Sequence, residues 1–591
     1  MLFSKSSLLF LLHVTFHFNT INGGATDKQF PENFMFGVGS SAYQTEGSWS
    51  DDGRGENIWD HYISSISKNI TDISNESYNR FKDDVALIAN MKLKFYKFSL
   101  SWSRILPSGF NDSINQIGIT YYKTLIEELE RQDITPIVTI YHWDLPQVIQ
   151  ERGGWTNSSN IQYFVDYARV VFENFQTVKY WLTMHEPKQI CRGGYGDASL
   201  APFISKSGVL DYQCAYVVLK AHAAVYRMYR AEFPNLGGKI SIALDGSWSI
   251  PVTNSRNDNT AAIRRTAFEF GLYADPIFRR NGNWPNTVRQ IVNQSSDANR
   301  LPVFDTKEIG EIRGTADFMA LNYYEARMVQ YFRLNSSEPS YEQDLRMNIS
   351  KNSSWSEGAN GFAIVPWSIR SFLNYVKTEY RNPEIIITGN GVADDGSLHD
   401  SLRTNYIADH LSNILDAIHV DQVNVTGYIF WSLLDSFEWT DGYNIHFGLY
   451  SVDRNSIDKT RIAKDSSTFY QKVATEFKIP FSNDFPAPPS PTTVDVASTE
   501  KQQTDSTSVH TSPITELSTR TARTSTTTGS FHSTTAAGTE VISKDDANTF
   551  SGTNIIIFSY VVLVVSMMLL IFFSKGMFIV SSLSKSFVKI A

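Results

Sequence analysis

The chain has 591 residues, of which 42% are hydrophobic and 13% aromatic. It can therefore bury a large core, and its length allows two or more domains. The formal net charge of -9 and the pI near 5.8 give no electrostatic reason to expect nucleic acid as a partner. The two cysteines, Cys191 and Cys214, are too few for a disulfide scaffold and wrongly spaced for a zinc site. We expect no metal and no cofactor.

The N-terminal segment, residues 1–25, has the order of a secretory signal peptide. Lys5 precedes an apolar run from Leu8 to Val14, and small residues follow around Gly23. Nine Asn-x-Ser/Thr sequons agree with passage through the secretory pathway. They begin at Asn69, Asn75, Asn111, Asn157, Asn293, Asn335, Asn348, Asn352 and Asn424. Their density predicts a glycosylated ectodomain.

Residues 26–480 read as one body without internal repeats. Eight short β-rich runs alternate with longer helical patterns: FMFGVGS, KFYKFSL, ITPIVTIY, VKYWLTM, KISIAL, DFMALNYY, EIIIT and VTGYIFWSLL. Between the first two runs, Phe81, Val85, Ile88 and Ala89 share one helical face, as in a crossover helix packed on a sheet. This rhythm predicts an α/β fold, a (β/α)8 TIM barrel whose active site lies after the strands.

The residues directly after these runs are polar and aromatic. They are Gln44, Glu46, His142, Trp143, His185, Glu186, Asn322, Tyr324, Trp431, Glu438 and Trp439. Taken singly, a Trp at this place is more often part of the core, and a lone Glu is usually a solvated loop residue. Together, indoles, amides and carboxylates suit a pyranose, which stacks one face on aromatic rings and needs paired hydrogen bonds for its hydroxyls.

The C-terminal part has a different composition. Residues 481–553 are rich in Pro, Ser and Thr and predict a disordered, O-glycosylated stalk. Residues 554–574 form an apolar segment long enough for one transmembrane helix. The tail, residues 575–591, carries Lys575, Lys585 and Lys589 and no acidic residue, which places it in the cytoplasm. We predict a single-pass type I protein of the plasma membrane with an extracellular ectodomain; a processed lipid anchor is the alternative.

Several long motifs resemble one enzyme family. FMFGVGSSAYQTEG, FSLSWSRILPSG, YHWDLPQ, RGTADFMALNYY and WSLLDSFEWTDGYNIHFGLYSVD are similar to glycoside hydrolase family 1, the retaining β-glucosidases, over residues 30–480. The resemblance implies a (β/α)8 barrel, with Glu186 as the general acid/base. It also implies a glycone subsite made of Gln44, His142, Glu186, Tyr324, Trp431, Glu438, Trp439 and Phe447, with Asn322 beside it.

The chain departs from the family pattern where the chemistry takes place. Gly389, in PEIIITGNG, occupies the position of the family's nucleophilic Glu. Lys97 replaces the Arg that pairs with that nucleophile, and His185 replaces the Asn that holds the sugar's 2-hydroxyl. Lys188 stands where the family has a Trp. Asp394 matches a family position of its own and does not substitute for the nucleophile.

Two functions follow from these departures. Retaining hydrolysis needs a covalent glycosyl-enzyme, and glycine has no side-chain atom to form it. The first function is therefore a cell-surface pseudoenzyme that binds a glycan, a β-glycoside or a protein partner, similar in plan to klotho-type membrane proteins. The alternative is an active membrane-bound β-glucosidase or transglycosidase, in which an anion or water beside Gly389 attacks the anomeric carbon.

Two further expectations concern single contacts. Cys191 and Cys214 both fall near the predicted mouth of the barrel, so we expect a disulfide between them; two buried free thiols are the alternative. Lys97 has lost the partner that the family provides. We expect it to turn toward Glu186 or Tyr324, or to lie beside water or an anion, with a lowered pKa.

Overall fold

A computed structural model describes residues 29–66, 75–293, 300–334 and 338–480. The predicted signal peptide, stalk, membrane segment and tail lie outside these residues, as do the sequons at Asn69 and Asn335. In the four described ranges, no helix combines the length and the apolar character needed to cross a membrane.

Eight parallel strands form a closed barrel, as the sequence predicts. They are β1 (Met35–Gly39), β2 (Phe95–Ser99), β3 (Thr135–Tyr141), β4 (Tyr180–His185), β5 (Lys239–Pro251), β6 (Met319–Tyr331), β8 (Ile385–Asn390) and β9 (Val425–Trp431). Each strand pairs with the next in chain order, and β9 pairs with β1 to close the ring. A short antiparallel strand, β7 (Met347–Ser350), lies beside β6, and β10 (Tyr450–Asp453) pairs with β11 (Thr460–Ala463).

Seven helices lie between these strands around the outside, and an eighth follows the last strand. They are α3 (Ser77–Asn90), α5 (Gln116–Arg131), α7 (Asn160–Asn174), α8 (Leu210–Glu232), α12 (Thr306–Ile312), α14 (Trp367–Tyr380), α15 (Ser401–His419) and α16 (Asp465–Glu476). Other helices lie in the loops: α1 (Ala42–Thr45), α2 (Ile58–Ile66), α4 (Trp102–Ile105), α6 (Gln147–Glu151), α9 (Arg256–Thr266), α10 (Leu272–Phe278), α11 (Asn286–Val292) and α13 (Tyr341–Leu345).

The strands are apolar on both faces because they separate two cores. In β1, Met35 belongs to the cluster inside the barrel, while Phe36 and Val38 belong to the larger core between barrel and helices. Alternation of side chains along a strand produces this division. On α3, Val85 and Ile88 are fully buried, as the helical pattern predicts.

The fifth and sixth strands are longer than the sequence indicated. β5 and β6 continue as a paired ribbon past the rim, with Ile250 opposite Met328 and Pro251 opposite Val329. β7 pairs with the end of β6. In this extension the residues alternate between polar and apolar types and form no continuous apolar run. The backbone hydrogen bonds of the strand pairings stabilise them.

The two cysteines form a disulfide with a Cα–Cα distance of 5.3 Å. Cys191 lies in the helical turn Gln189–Gly193, which follows Glu186. Cys214 lies inside α8, which begins at Leu210. The bond ties the turn after Glu186 to an outer helix of the barrel.

The sequons differ in their exposure. Asn75 is fully buried, and its amide donates to the carbonyl of Asp435 at 3.0 Å. A buried and hydrogen-bonded amide cannot hold a sugar in the folded protein, so this sequon is not a site for a glycan. Asn157 is half-buried. The side chains of the other described sequons are exposed: Asn111, Asn293, Asn348, Asn352 and Asn424.

Candidate active site

The predicted site residues all lie at the end of the barrel where the strands finish. Five of them are in or at the end of a strand: Asn322 and Tyr324 in β6, Gly389 in β8, His185 in β4 and Trp431 in β9. The others lie in the loops that follow: Gln44, His142, Glu186, Glu438, Trp439 and Phe447. Their side chains are buried except those of Tyr324 and Trp439, which are half-buried.

Glu186 directly follows β4 and has a left-handed backbone, with φ of 51°. Its N–H donates to the carbonyl of Ala243 on β5 at 2.8 Å, which fixes the turn. Asn322 Nδ2 donates to Glu186 Oε1 at 2.5 Å. Burial and the nearby charge of Asp245 raise the pKa of Glu186 to about 7. The carboxyl can therefore hold a proton at neutral pH, as a general acid must.

Asn322 connects this carboxyl to the surroundings of Gly389. Its Oδ1 accepts a hydrogen bond from Thr388 Oγ1 at 2.8 Å. The Cβ of a side chain at Gly389 would lie 2.9 Å from Asn322 Oδ1 and 2.9 Å from the Tyr324 hydroxyl. The space beside Gly389 is therefore narrow, because the polar groups of Asn322 and Tyr324 lie at its edge. Gly391 has no side chain and so allows the carbonyl of Trp431 to approach closely.

Lys97 has a different partner from those expected. Its side chain is fully buried, and Nζ lies 3.2 Å from Nδ1 of His185. The expected contact with Glu186 or Tyr324 is absent from the described residues, because the imidazole of His185 lies between β2 and Glu186. His185 Nε2 is 3.5 Å from Glu186 Oε1. The expected direction of the pKa shift is confirmed: burial lowers the pKa of Lys97 to about 7.

Aromatic rings line the wall beside this group. The rings of His142 and His185 stack with centroids 3.7 Å apart. The ring centroid of Trp439 is 4.7 Å from that of Trp143 and 6.1 Å from that of Tyr43, and the Trp439 and Tyr43 rings are nearly parallel. Burial holds the pKa of His142 well below its usual value, so this ring is neutral. The wall offers flat apolar faces of the kind that stack on a sugar ring.

The loops that carry this wall also carry polar groups. Gln44 donates from Nε2 to the carbonyl of Phe437 at 2.8 Å, which holds its amide beside the loop of Glu438. Ser436 Oγ donates to Glu438 Oε1 at 3.1 Å, and burial raises the pKa of Glu438 to about 8. Phe447 packs with Trp431 and Tyr324 in a small apolar cluster next to these groups.

Two candidate carboxylates serve the fold. Both oxygens of Glu46 are occupied, by Arg104 Nε at 2.9 Å and by the Tyr122 hydroxyl at 2.6 Å. Asp394 forms an ion pair with Arg403 at 2.7 Å. These contacts explain why neither carboxylate is free to act on a sugar.

The sequence did not predict one charged pair near the site. Lys188 Nζ contacts Asp245 Oδ2 at 2.6 Å, and Gln189 Nε2 donates to the same oxygen at 3.0 Å. Asp245 directly follows the apolar run of β5. This position is the signal that could have identified it as a residue of the rim. Its charge acts on Glu186 and so contributes to the raised pKa of that carboxyl.

Comparisons with known proteins give a consistent result. The model of glycosyl hydrolase family 1 matches residues 26–479. Myrosinase 1 of Brevicoryne brassicae is 40% identical over 467 residues, which are 76% of this chain and 100% of that protein. Human lactase/phlorizin hydrolase is 39% identical over 469 residues, which are 77% of this chain and 24% of that protein.

The same similarity holds for solved structures. The crystal structure of the rice Os3BGlu6 β-glucosidase superposes with a TM-score of 0.72 at 34% identity, covering 76% of this chain and 99% of the rice protein. An aphid myrosinase superposes with a TM-score of 0.73 at 40% identity, covering 76% of this chain and all of that protein.

Proposed function

The chain belongs to glycosyl hydrolase family 1, and from that membership we propose that its barrel binds a β-glycoside, or a β-linked sugar of a cell-surface glycan, with little or no hydrolysis. One observation carries this proposal. Gly389 stands at the nucleophile position, while the aromatic wall and the polar groups around it are retained. A protein ligand that presents such a sugar would use the same mouth.

The mechanism explains why binding and chemistry separate. The retaining reaction passes through a bond between the sugar and the nucleophile, and loss of a nucleophile costs on the order of a millionfold in turnover. Hydrogen bonds and ring stacking to the bound sugar exist before the reaction and do not need that group. Gln44, Glu438 and Trp439 can therefore still hold a sugar.

A second candidate is an active membrane-bound β-glucosidase or transglycosidase. The observation in its favour is Glu186, which keeps the protonated state that an acid catalyst needs. An attacking anion or water would have to lie beside Gly389, where Asn322 and Tyr324 restrict the space. For this reason we favour the binding function.

We expect the full-length protein to bind methyl β-D-glucoside with a Kd of about 1 mM, as a few sugar hydrogen bonds provide. Glu438→Ala removes a buried group from the sugar end of the mouth and should weaken binding about tenfold. Glu127→Ala, at an exposed position on α5, is the matched control and should leave the Kd unchanged. Calorimetric titration measures the Kd of the unmodified protein and of both variants. If neither the unmodified protein nor the control binds any β-glycoside, a protein-binding scaffold becomes the better proposal.

We also propose that this barrel faces the cell exterior. The signal-peptide pattern, the sequons and the lysines after residue 574 support that orientation. Protease added to intact cells should remove the barrel and leave an epitope tag placed after Lys589 undigested. Digestion of the tag on intact cells would contradict the type I orientation.

A further inference from the structure

Lys97 is unusual among the buried lysines of this protein. It is fully buried at the end of β2, and within the described residues no carboxylate oxygen lies within 4.0 Å of its Nζ. Lys464 is equally buried, but its Nζ is 2.9 Å from Asp435 Oδ1. Lys188 is paired with Asp245 at 2.6 Å. A buried ammonium without a counter-charge is costly, so Lys97 has a reason to be neutral that the other two lack.

One arrangement of the hydrogen bonds around His185 requires the same neutral state of Lys97. Asn322 Nδ2 is a donor only, and it lies 3.2 Å from His185 Nε2 and 2.5 Å from Glu186 Oε1. With Nε2 as the acceptor, a neutral imidazole carries its hydrogen on Nδ1. Nδ1 then donates to Lys97 Nζ at 3.2 Å. Only an uncharged amine, which has a lone pair, can accept that bond.

Glu186 provides the complementary group. Its Oε1 is 3.5 Å from His185 Nε2, on the far side of the imidazole from Lys97. Burial and the charge of Asp245 raise the pKa of this carboxyl to about 7, and burial lowers the pKa of Lys97 to about 7. Each of the two groups can therefore be uncharged near neutral pH. This pair of groups is what addition of an amine to a carbonyl requires.

We propose that Lys97 is a carbonyl-capturing residue, whose amine forms a Schiff base with the aldehyde of an open-chain aldose or a smaller hydroxyaldehyde. The Nζ lone pair forms the C–N bond, and one proton of the amine passes to the carbonyl oxygen. The C–O bond then breaks, and the oxygen leaves as water with a second proton, which His185 passes on from Glu186. The products are a protonated imine on Lys97, a Glu186 carboxylate and one water, so atoms and charge balance.

The surroundings select the class of aldehyde. The preference for a hydroxylated aldehyde rests on the proposed sugar-binding function, because Gln44, Glu438 and Trp439 are the groups that would hold its hydroxyls. Trp431, whose ring centroid is 5.4 Å from Lys97 Nζ, covers the amine with an apolar face. Gly389 leaves the nucleophile position without a carboxylate that would pair with the amine and keep it charged.

Reductive trapping tests the proposal. The full-length protein is treated near pH 7 with glycolaldehyde or D-erythrose and cyanoborohydride, and each lysine is followed by peptide mass spectrometry. We expect Lys97 to be labelled at least about tenfold faster than Lys464, since only an uncharged amine attacks a carbonyl. Labelling of Lys97 no faster than that of Lys464 would overturn the proposal. The variant Lys97→Arg, checked for folding by circular dichroism, should lose the label at this site and keep it elsewhere.

The outcomes separate this inference from the proposed function. Glucoside binding without labelling of Lys97 refutes the carbonyl capture and leaves the binding function intact. Fast labelling by glycolaldehyde in a protein that binds no glycoside supports the reactive amine and refutes the binding function. Protection of Lys97 by methyl β-D-glucoside supports both and places the amine at the base of the sugar site.

Discussion

The triple variant Gly389→Glu, Lys97→Arg, His185→Asn should hydrolyse a chromogenic β-glucoside at least about a thousandfold faster than the unmodified protein. The first change returns a nucleophile, the second its charged partner and the third the amide that the family uses for the sugar's 2-hydroxyl. Together they restore both the covalent step and a contact that strengthens in the transition state. Initial rates at saturating substrate measure the gain.

Gly389→Glu alone should give little activity. The new Cβ would lie 2.9 Å from Asn322 Oδ1 and from the Tyr324 hydroxyl, so both side chains must shift before the carboxylate is oriented. His185→Asn helps, because it removes the ring that contacts Asn322 Nδ2 at 3.2 Å.

The acid residue provides the control for this experiment. Addition of Glu186→Gln to the triple variant should remove the restored activity, because the leaving oxygen is then not protonated. Fast hydrolysis by the unmodified protein, abolished by Glu186→Gln, would overturn the proposal that catalysis is lost. A well-folded triple variant that neither binds nor cleaves a β-glycoside would show that the sugar-binding groups have also changed.

Lys464→Met should lower the free energy of unfolding by about 3 to 5 kcal/mol, the usual cost of removing one partner of a buried ion pair. The Lys464 ammonium lies 2.9 Å from Asp435 Oδ1 and 3.7 Å from Asp394 Oδ1, and all three side chains are buried. Without it, two buried carboxylates lose a shared counter-charge. Denaturant unfolding of the full-length protein measures the change.

The same variant should weaken glucoside binding. Asp435 also accepts a hydrogen bond from the N–H of Gly448 at 2.8 Å, so it closes the loop that carries Glu438 and Phe447. Lys307→Met is the matched control: Lys307 pairs with Glu311 at 3.6 Å, and both side chains are exposed. Exposed pairs contribute less than about 1 kcal/mol. Equal effects of the two substitutions would contradict the structural role of Lys464.

The order of residues along the chain is enough to predict the barrel and most of its mouth. Strands of a closed barrel are buried on both faces, so each produces a short apolar run, and the residue after each run must reach the rim. This is why the positions of Glu186, Asn322 and Trp431 along the chain are enough to place them at the rim. The lack of a side chain at Gly389 is a property of one position and needs no contacts to be recognised.

The partners of these residues, in contrast, depend on the closed barrel. Lys97 and His185 are 88 positions apart, and they meet because β2 and β4 direct their side chains into the same mouth. A long side chain there can reach several groups. Which of them it contacts depends on differences in distance and hydrogen bonding that cannot be read from sequence periodicity. The burial of Asn75, the pairing of Lys188 with Asp245 and the narrow space beside Gly389 have the same origin, because each is a contact between segments that only the folded barrel brings together.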